Sequence, residues 1–201
     1  MKREDSSRVG GSNGYRVTQE HWLEPVRRLW SPNQDERPRG SSIDLLVLHG
    51  ISLPPGSFGG PWIERLFTNR LDPGAHPSFP EISRLRVSSH LLLRRDGTLF
   101  QYVPFDRRAW HAGASRFEGR EQCNDFSIGV EIEGADNVPY SEAQYVTLIP
   151  VCRALISGYP GITPERIVGH CDIAPGRKTD PGPAFDWERL KAALRSPTTN
   201  P

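Results

Sequence analysis

Between Gly169 and Gly182 the chain reads Gly-His-Cys-Asp-Ile-Ala-Pro-Gly-Arg-Lys-Thr-Asp-Pro-Gly. Proline presets φ and glycine permits tight turns, so a loop of this kind holds its side chains in place without needing a helix. His170, Lys178 and Asp180 fall within eleven positions of that run. An imidazole and a carboxylate are good donors for a borderline cation such as zinc. Two donors do not make a site, so a third has to come from elsewhere. His49 is the best candidate, because it ends the run Ile43-Asp44-Leu45-Leu46-Val47-Leu48. Five of the seven residues 43–49 are aliphatic. That pattern suits a central strand covered on both faces, and ligands in α/β sheets collect at strand ends.

The rest of the chain supplies the elements around these two segments. Pro61 opens a short helix with Trp62, Ile63, Leu66 and Phe67 on its apolar face. Residues 88–94 and 98–103 form a hairpin about Asp96-Gly97. A long loop runs from Ala109 to Asp125, and Phe126 to Glu133 is a second buried strand. Ser141 and Gln144 fit a capping box, followed by helical spacing at residues 145, 148, 149, 152, 155 and 156. Pro150 sits inside that helix, where proline costs roughly 3 kcal/mol, so a kink or a broken first half is expected. Thr163 caps a short helix, Ile167-Val168 is a short strand leading to His170, and Asp186 caps a last helix from Trp187 to Leu194. This order predicts an α/β fold, a mixed sheet flanked by helices. Residues 15–42 are expected to wrap the domain as irregular structure, 50–60 to be a loop, and 70–83 to be a loop with room for a helical turn. Residues 1–14 contain too little to bury and read as disordered, 15–195 as one domain, and 196–201 as a loose tail.

With 25 basic and 24 acidic residues the net charge is +1, which gives no argument for nucleic acid or for an anionic membrane. No stretch approaches a membrane span, and the polar N-terminus lacks the apolar core of a secretory signal. Cys123, Cys152 and Cys171 cannot all pair within one chain and read as reduced thiols, which places the protein in the cytoplasm. Cys171 is a rival donor beside His170, but adjacent residues of an extended segment rarely face one ion.

Three protein donors would leave a fourth position open for water, the mark of a catalytic zinc. The natural reaction is hydrolysis of an amide or ester. A carboxylate must then move the proton, and Glu131 or Glu133 can do so, since both lie at a strand end and share one face. Lys178 is the cation available to a developing oxyanion. Against this stand ordinary readings: a solvated strand end, a surface lysine, an Asp that caps a turn before Pro181.

The blocks Leu48-His49-Gly50-Ile51, Val87-Ser88-Ser89-His90, Ala109-Trp110-His111-Ala112-Gly113, Cys123-Asn124-Asp125-Phe126, Glu131-Ile132-Glu133-Gly134, Gly169-His170-Cys171-Asp172 and Lys178-Thr179-Asp180-Pro181-Gly182 occur in this order. They resemble the zinc amidases related to peptidoglycan recognition proteins and phage T7 lysozyme, and within them the cytoplasmic anhydromuramyl-L-alanine amidases of cell-wall recycling. The resemblance covers about Gly14 to Leu194. It implies Zn2+ on His49, His170 and Asp180, with Glu131 acting on water and Lys178 on the tetrahedral intermediate. The bond cut would join the lactyl group of 1,6-anhydro-N-acetylmuramic acid to L-Ala. The partner implied is thus a small anhydromuropeptide met by a monomer, with an indirect role in β-lactamase regulation. Arg86 and Trp110 would contact the peptide, unless Trp110 is a core residue. His90 would be structural, and His111 would at most support the ligands from behind.

Two positions depart from the family pattern. Gly50 stands where Asn usually follows the first zinc histidine, and Gln122 where an Arg helps to hold the peptide carboxylate. Two other readings compete. Some relatives bind peptidoglycan without cutting it, but these typically lack a ligand, and Asp180 is present here. A secreted amidase acting on intact wall is disfavoured by the polar N-terminus and the anhydromuramyl-type motifs.

Overall fold

The computed structural model describes residues 14–196, so the expectations for residues 1–13 and 197–201 lie outside it. In chain order the elements are β1 (Arg16–Val17), β2 (Leu23–Glu24), β3 (Arg27–Arg28), β4 (Gln34–Glu36), β5 (Leu45–Ile51), α1 (Trp62–Phe67) and α2 (Phe79–Ile82). Next come β6 (Leu91–Leu93), β7 (Leu99–Gln101), β8 (Arg107–Ala109), β9 (Arg116–Phe117), β10 (Arg120–Glu121) and β11 (Ser127–Glu133). The chain closes with α3 (Glu142–Gly158), β12 (Ile167–Gly169), α4 (His170–Ile173) and α5 (Trp187–Arg195).

Six strands form a mixed sheet in the order β12-β5-β11-β6-β7-β3. The pairs β12/β5, β5/β11 and β11/β6 are parallel, and the β6/β7 hairpin is antiparallel. The α/β mixed sheet read from the sequence is therefore present, with its hairpin at Asp96-Gly97.

Side-chain alternation divides the sheet into two faces. Leu46 and Leu48 of β5, with Ile128, Val130 and Ile132 of β11, pack against Tyr145, Leu148, Cys152 and Leu155 of α3. Leu190 of α5 joins the same cluster. Each such side chain contributes roughly 1.5–3 kcal/mol when fully buried. On the opposite face Leu45 and Val47 join Ala112, Cys123, Phe126 and Ile173. The other odd positions are His49 and Ile51 in β5 and Ser127, Gly129, Glu131 and Glu133 in β11. The strands read as apolar because both faces are covered. The exceptions to that apolarity all stand on one side.

Five expectations are corrected. Residues 15–42 are not irregular throughout, since they carry β1 to β4, and β3 adds to the sheet edge beside β7. The segment 109–125 holds the small β9/β10 hairpin rather than loop alone. The Pro/Gly-rich stretch after Gly169 begins with one helical turn, α4, which carries His170. Helix α3 runs unbroken through Pro150. Proline removes the bond to the carbonyl four residues back, and that residue, Val146, is 63% exposed, so the carbonyl lies on the solvent side. Thr163 gives no side-chain cap, and a 3-10 turn, Pro164–Arg166, follows it.

The capping box at the start of α3 is formed as read: Ser141 Oγ accepts from the Gln144 N–H at 3.2 Å, and Gln144 Oε1 accepts from the Ser141 N–H at 2.9 Å. Ser141→Ala is expected to lower stability by about 1 kcal/mol, read as a lower urea midpoint with an unchanged m value. An unmoved midpoint would mean that packing alone holds the helix start.

Candidate metal centre and cleft

Strand register brings the polar residues together. Glu131 pairs with His49 across β11 and β5, and Gly169 pairs with Leu48 across β12 and β5. His170 therefore leaves β12 level with His49, at the carboxyl ends of three parallel strands. The turn of α4 is fastened by Asp172, whose Oδ2 accepts from the Gly169 N–H at 2.7 Å. The returning chain is pinned where the Cys171 N–H donates to the Asp180 carbonyl at 3.0 Å. That contact sets the Asp180 side chain beside both rings.

His49 Nδ1 lies 3.0 Å from His170 Nδ1. Asp180 Oδ2 stands 3.1 Å from His170 Nδ1 and 3.4 Å from His49 Nδ1. These three donors form the cluster that could hold a metal ion. Donors about 2.0–2.2 Å from a tetrahedral ion stand roughly 3.3 Å from one another, so the spacing suits zinc. The donor chemistry points the same way. His170 Nε2 sits 3.1 Å from the Ala112 carbonyl. A carbonyl only accepts, so the ring proton is on Nε2 and Nδ1 is a bare lone pair. A lone pair then faces a carboxylate oxygen at hydrogen-bond distance, an arrangement that a cation relieves. Cys171 takes no part in the cluster.

The centre forms the floor of a cleft of about 210 Å³ lined by Glu131, Trp110, Lys178 and Leu85 among others. A second cleft of about 240 Å³ shares Trp110, His111, His170 and Lys178 with it and adds Arg86 and Arg177. Glu131 Oε1 is 3.9 Å from His49 Nδ1. Burial raises the Glu131 carboxyl to about 8, with Asp180 adding to the shift and Lys178 opposing it. His49 is lowered to about 4, chiefly by burial.

Glu133, the alternative to Glu131, is spoken for. It pairs with Arg94 at 3.0 Å and accepts from the N–H groups of Gly59 at 2.7 Å and Arg95 at 3.2 Å. Its carboxylate holds the 52–60 loop against the hairpin, and Glu131 is left as the carboxylate facing the cleft. Trp110 is half-buried and lines both clefts, so it is not a core residue. Its indole N–H donates to Asp35 at 3.1 Å, and Arg108 bridges Asp35 and Asp125 at 2.6 Å each. Arg86 is exposed at the rim. His90 is structural: its Nδ1 accepts from the Gly129 N–H at 3.0 Å, and its Nε2 donates to the Arg107 carbonyl at 3.1 Å.

The two departures from the family pattern also have places in the structure. A Cβ at Gly50 would stand 2.5 Å from the Tyr140 hydroxyl, which donates to the Pro181 carbonyl at 2.9 Å. A larger residue at 50 would displace Tyr140. Gln122 is exposed with φ 56° and lines a separate hollow with Ser115 and Arg116, outside both clefts.

Sequence reasoning passed over Asn124 and Arg177. Asn124 Oδ1 accepts from the N–H groups of His111 at 3.2 Å and Ala112 at 2.8 Å. Arg177 donates to the carbonyls of Ala112 at 2.7 Å and Ala114 at 2.6 Å. Both shape the Trp110–Gly113 loop behind the centre through backbone contacts, which leave no residue pattern to read.

The N-acetylmuramoyl-L-alanine amidase family model matches residues 39–183. The chain belongs to that family. Among its amidase relatives, the 1,6-anhydro-N-acetylmuramyl-L-alanine amidase AmpD of Escherichia coli K12 is 59% identical over 183 residues, covering 91% of this chain and all of the relative. A crystal structure of an AmpD selenomethionine derivative superposes with a TM-score of 0.84 at 59% identity, covering 87% of this chain and 97% of that one. The E. coli amidase AmiD, solved with anhydro-N-acetylmuramic acid-L-Ala-D-gamma-Glu-L-Lys, gives 0.56 at 30% identity over 90% of this chain and 65% of that one. Among the described residues no helix is long and apolar enough to cross a membrane.

The raised Glu131 carboxyl makes metal-free stability depend on pH. Its pKa is about 8 when folded, against an ordinary 4.5. The folded state binds more protons across that window, so stability falls as pH rises through it. Glu131→Gln is expected to remove this part of the slope, so that its urea midpoint, relative to the metal-stripped parent, rises progressively from about pH 5 to about pH 8. A constant offset would show that Glu131 ionises normally.

Proposed function

We propose that this chain is a zinc amidase that hydrolyses the bond between the lactyl group of 1,6-anhydro-N-acetylmuramic acid and L-Ala of the stem peptide, in peptidoglycan recycling. The observation that carries the reading is the convergence of His49 Nδ1, His170 Nδ1 and Asp180 Oδ2 within 3.4 Å of one another, beside a buried carboxyl. The names of these relatives supply the substrate class. Zinc is favoured by the two-imidazole, one-carboxylate donor set.

His49, His170 and Asp180 would hold the ion, which when bound supplies a Lewis acid and lowers the pKa of water. Glu131 takes the proton of the attacking water and returns it to the departing amine. A carboxyl raised by burial is suited to that exchange near neutral pH. Lys178 lines the same cleft, and its ammonium is the cation proposed to stabilise the charge that develops on the carbonyl oxygen. Trp110, fixed through Asp35, offers a flat apolar wall to the peptide stem. Arg86 at the rim presents a planar guanidinium that can hold a stem carboxylate with two hydrogen bonds. The enzyme is proposed to act as a monomer in the cytoplasm, where lytic transglycosylase products are recycled.

Mass spectrometry tests this with zinc-loaded protein and three substrates: anhydromuramyl-tripeptide, its reducing-sugar counterpart and intact peptidoglycan. Release of tripeptide mainly from the anhydro substrate, abolished by chelation, is the expected outcome. Cleavage of intact wall would contradict the recycling role, and binding without cleavage would make the chain a recognition module. His49→Ala, His170→Ala and Asp180→Ala are each expected to lose both bound zinc and activity. Lys178→Ala is expected to keep zinc and lose about 10²–10³-fold in turnover. Normal turnover in that variant would remove Lys178 from the mechanism.

A further inference from the structure

We propose that His111, held by Ser127, is a positioning residue that fixes which nitrogen of His49 faces the metal. Ser127 Oγ lies 2.5 Å from the Cys123 carbonyl. A carbonyl only accepts, so the single hydroxyl proton of Ser127 is committed there. Ser127 Oγ is also 3.2 Å from His111 Nε2. With its proton spent, the serine oxygen can only accept, so the His111 proton sits on Nε2. A neutral imidazole carries one N–H, which leaves His111 Nδ1 bare. That bare nitrogen stands 3.0 Å from His49 Nε2. The His49 proton is therefore on Nε2, and its Nδ1 is a lone pair turned towards His170 Nδ1 and Asp180 Oδ2.

The ring of His111 has a place made for it. A Cβ at Gly129 would stand 2.5 Å from His111 Cγ. Position 129 lies between Ser127 and Glu131 on the same sheet face, so the glycine opens the gap that the ring fills. The backbone of the loop is tied at His111 and Ala112 by Asn124 Oδ1. The result is a ring with no freedom to turn, bonded on one side to the sheet through Ser127 and on the other to His49. Burial lowers the His111 pKa well below its ordinary value, in keeping with a neutral ring. Hydrogen-bond partners of this kind set the tautomer and orientation of metal-binding histidines.

The inference rests on His49 being a ligand, and the test separates the two claims. Zinc affinity is measured by chelator competition for the full chain and for His49→Ala, His111→Phe, His111→Gln and Ser127→Ala. His111→Phe fills the gap without accepting a hydrogen bond and is expected to weaken zinc binding about 10–100-fold. His111→Gln can accept from His49 and donate to Ser127, and is expected to recover part of that loss. Nitrogen-15 spectra of the metal-free imidazoles give a readout that mere packing would not move. The parent is expected to show His49 as the single Nε2–H form, and Ser127→Ala a mixture of both tautomers. Ser127→Ala is a small change and decides the matter if His111→Phe does not fold. If His49→Ala binds zinc as the parent does, the ligand assignment fails. If His49→Ala loses zinc while His111→Phe keeps parental affinity, or if His49 stays in one tautomer in Ser127→Ala, the positioning role is overturned and His111 only fills space.

Discussion

The parallel pairing of β5 with its two neighbours is the constraint on which the site depends. It sets Glu131 opposite His49 and brings Gly169 level with Leu48, so that His170 emerges beside both. Because side chains alternate, a slip of one residue would turn His49 towards α3 and Leu48 towards the cleft. The register is fixed from the helix side, where Leu46, Leu48, Ile128, Val130 and Ile132 are fully buried. Burial of the even-numbered residues thus holds the odd-numbered ones in place for chemistry. The helix that caps this face is in turn fixed by Ser141 and Gln144.

A site assembled this way concentrates polar groups where water is scarce. His49, His170 and Glu131 are nearly inaccessible, and such groups cost free energy unless partnered. Each has an outer anchor or a distinct charge state. His170 is tied to the Ala112 carbonyl, His49 to His111, and Glu131 keeps its proton more readily than an exposed carboxyl. The contrast with Glu133 shows how context separates two identical side chains two positions apart. Glu133 is neutralised by Arg94 and two backbone N–H groups and serves the loop, whereas Glu131 has Lys178 as the cation acting on it and faces the cleft.

Much of this was legible in the sequence because the signals were local. The aliphatic run before His49, the capping box at Ser141, the Asp-Gly turn and the Asp186 cap each appear as read. The motif blocks placed His49, His170 and Asp180 in one set, and the structure brings those three together. What stayed hidden involves long-range partners. Nothing in the segment 15–42 announces that Arg27 and Arg28 pair with the sheet edge, or that Asp35 orients Trp110 from 75 residues away. Pro150 was misjudged because a helix tolerates proline where the freed carbonyl meets solvent. The role of Ser127 depends on the Cys123 carbonyl, and backbone acceptors leave no residue signature.

The most direct measurement is a crystal structure of the zinc-loaded protein with anomalous data on both sides of the zinc absorption edge. The expected result is one zinc ion per chain bonded to the Nδ1 atoms of His49 and His170 and to a carboxylate oxygen of Asp180, with Glu131 uncoordinated beside it. An ion held through the Nε2 atoms, an ion elsewhere in the chain, or no anomalous signal at these residues would contradict the account.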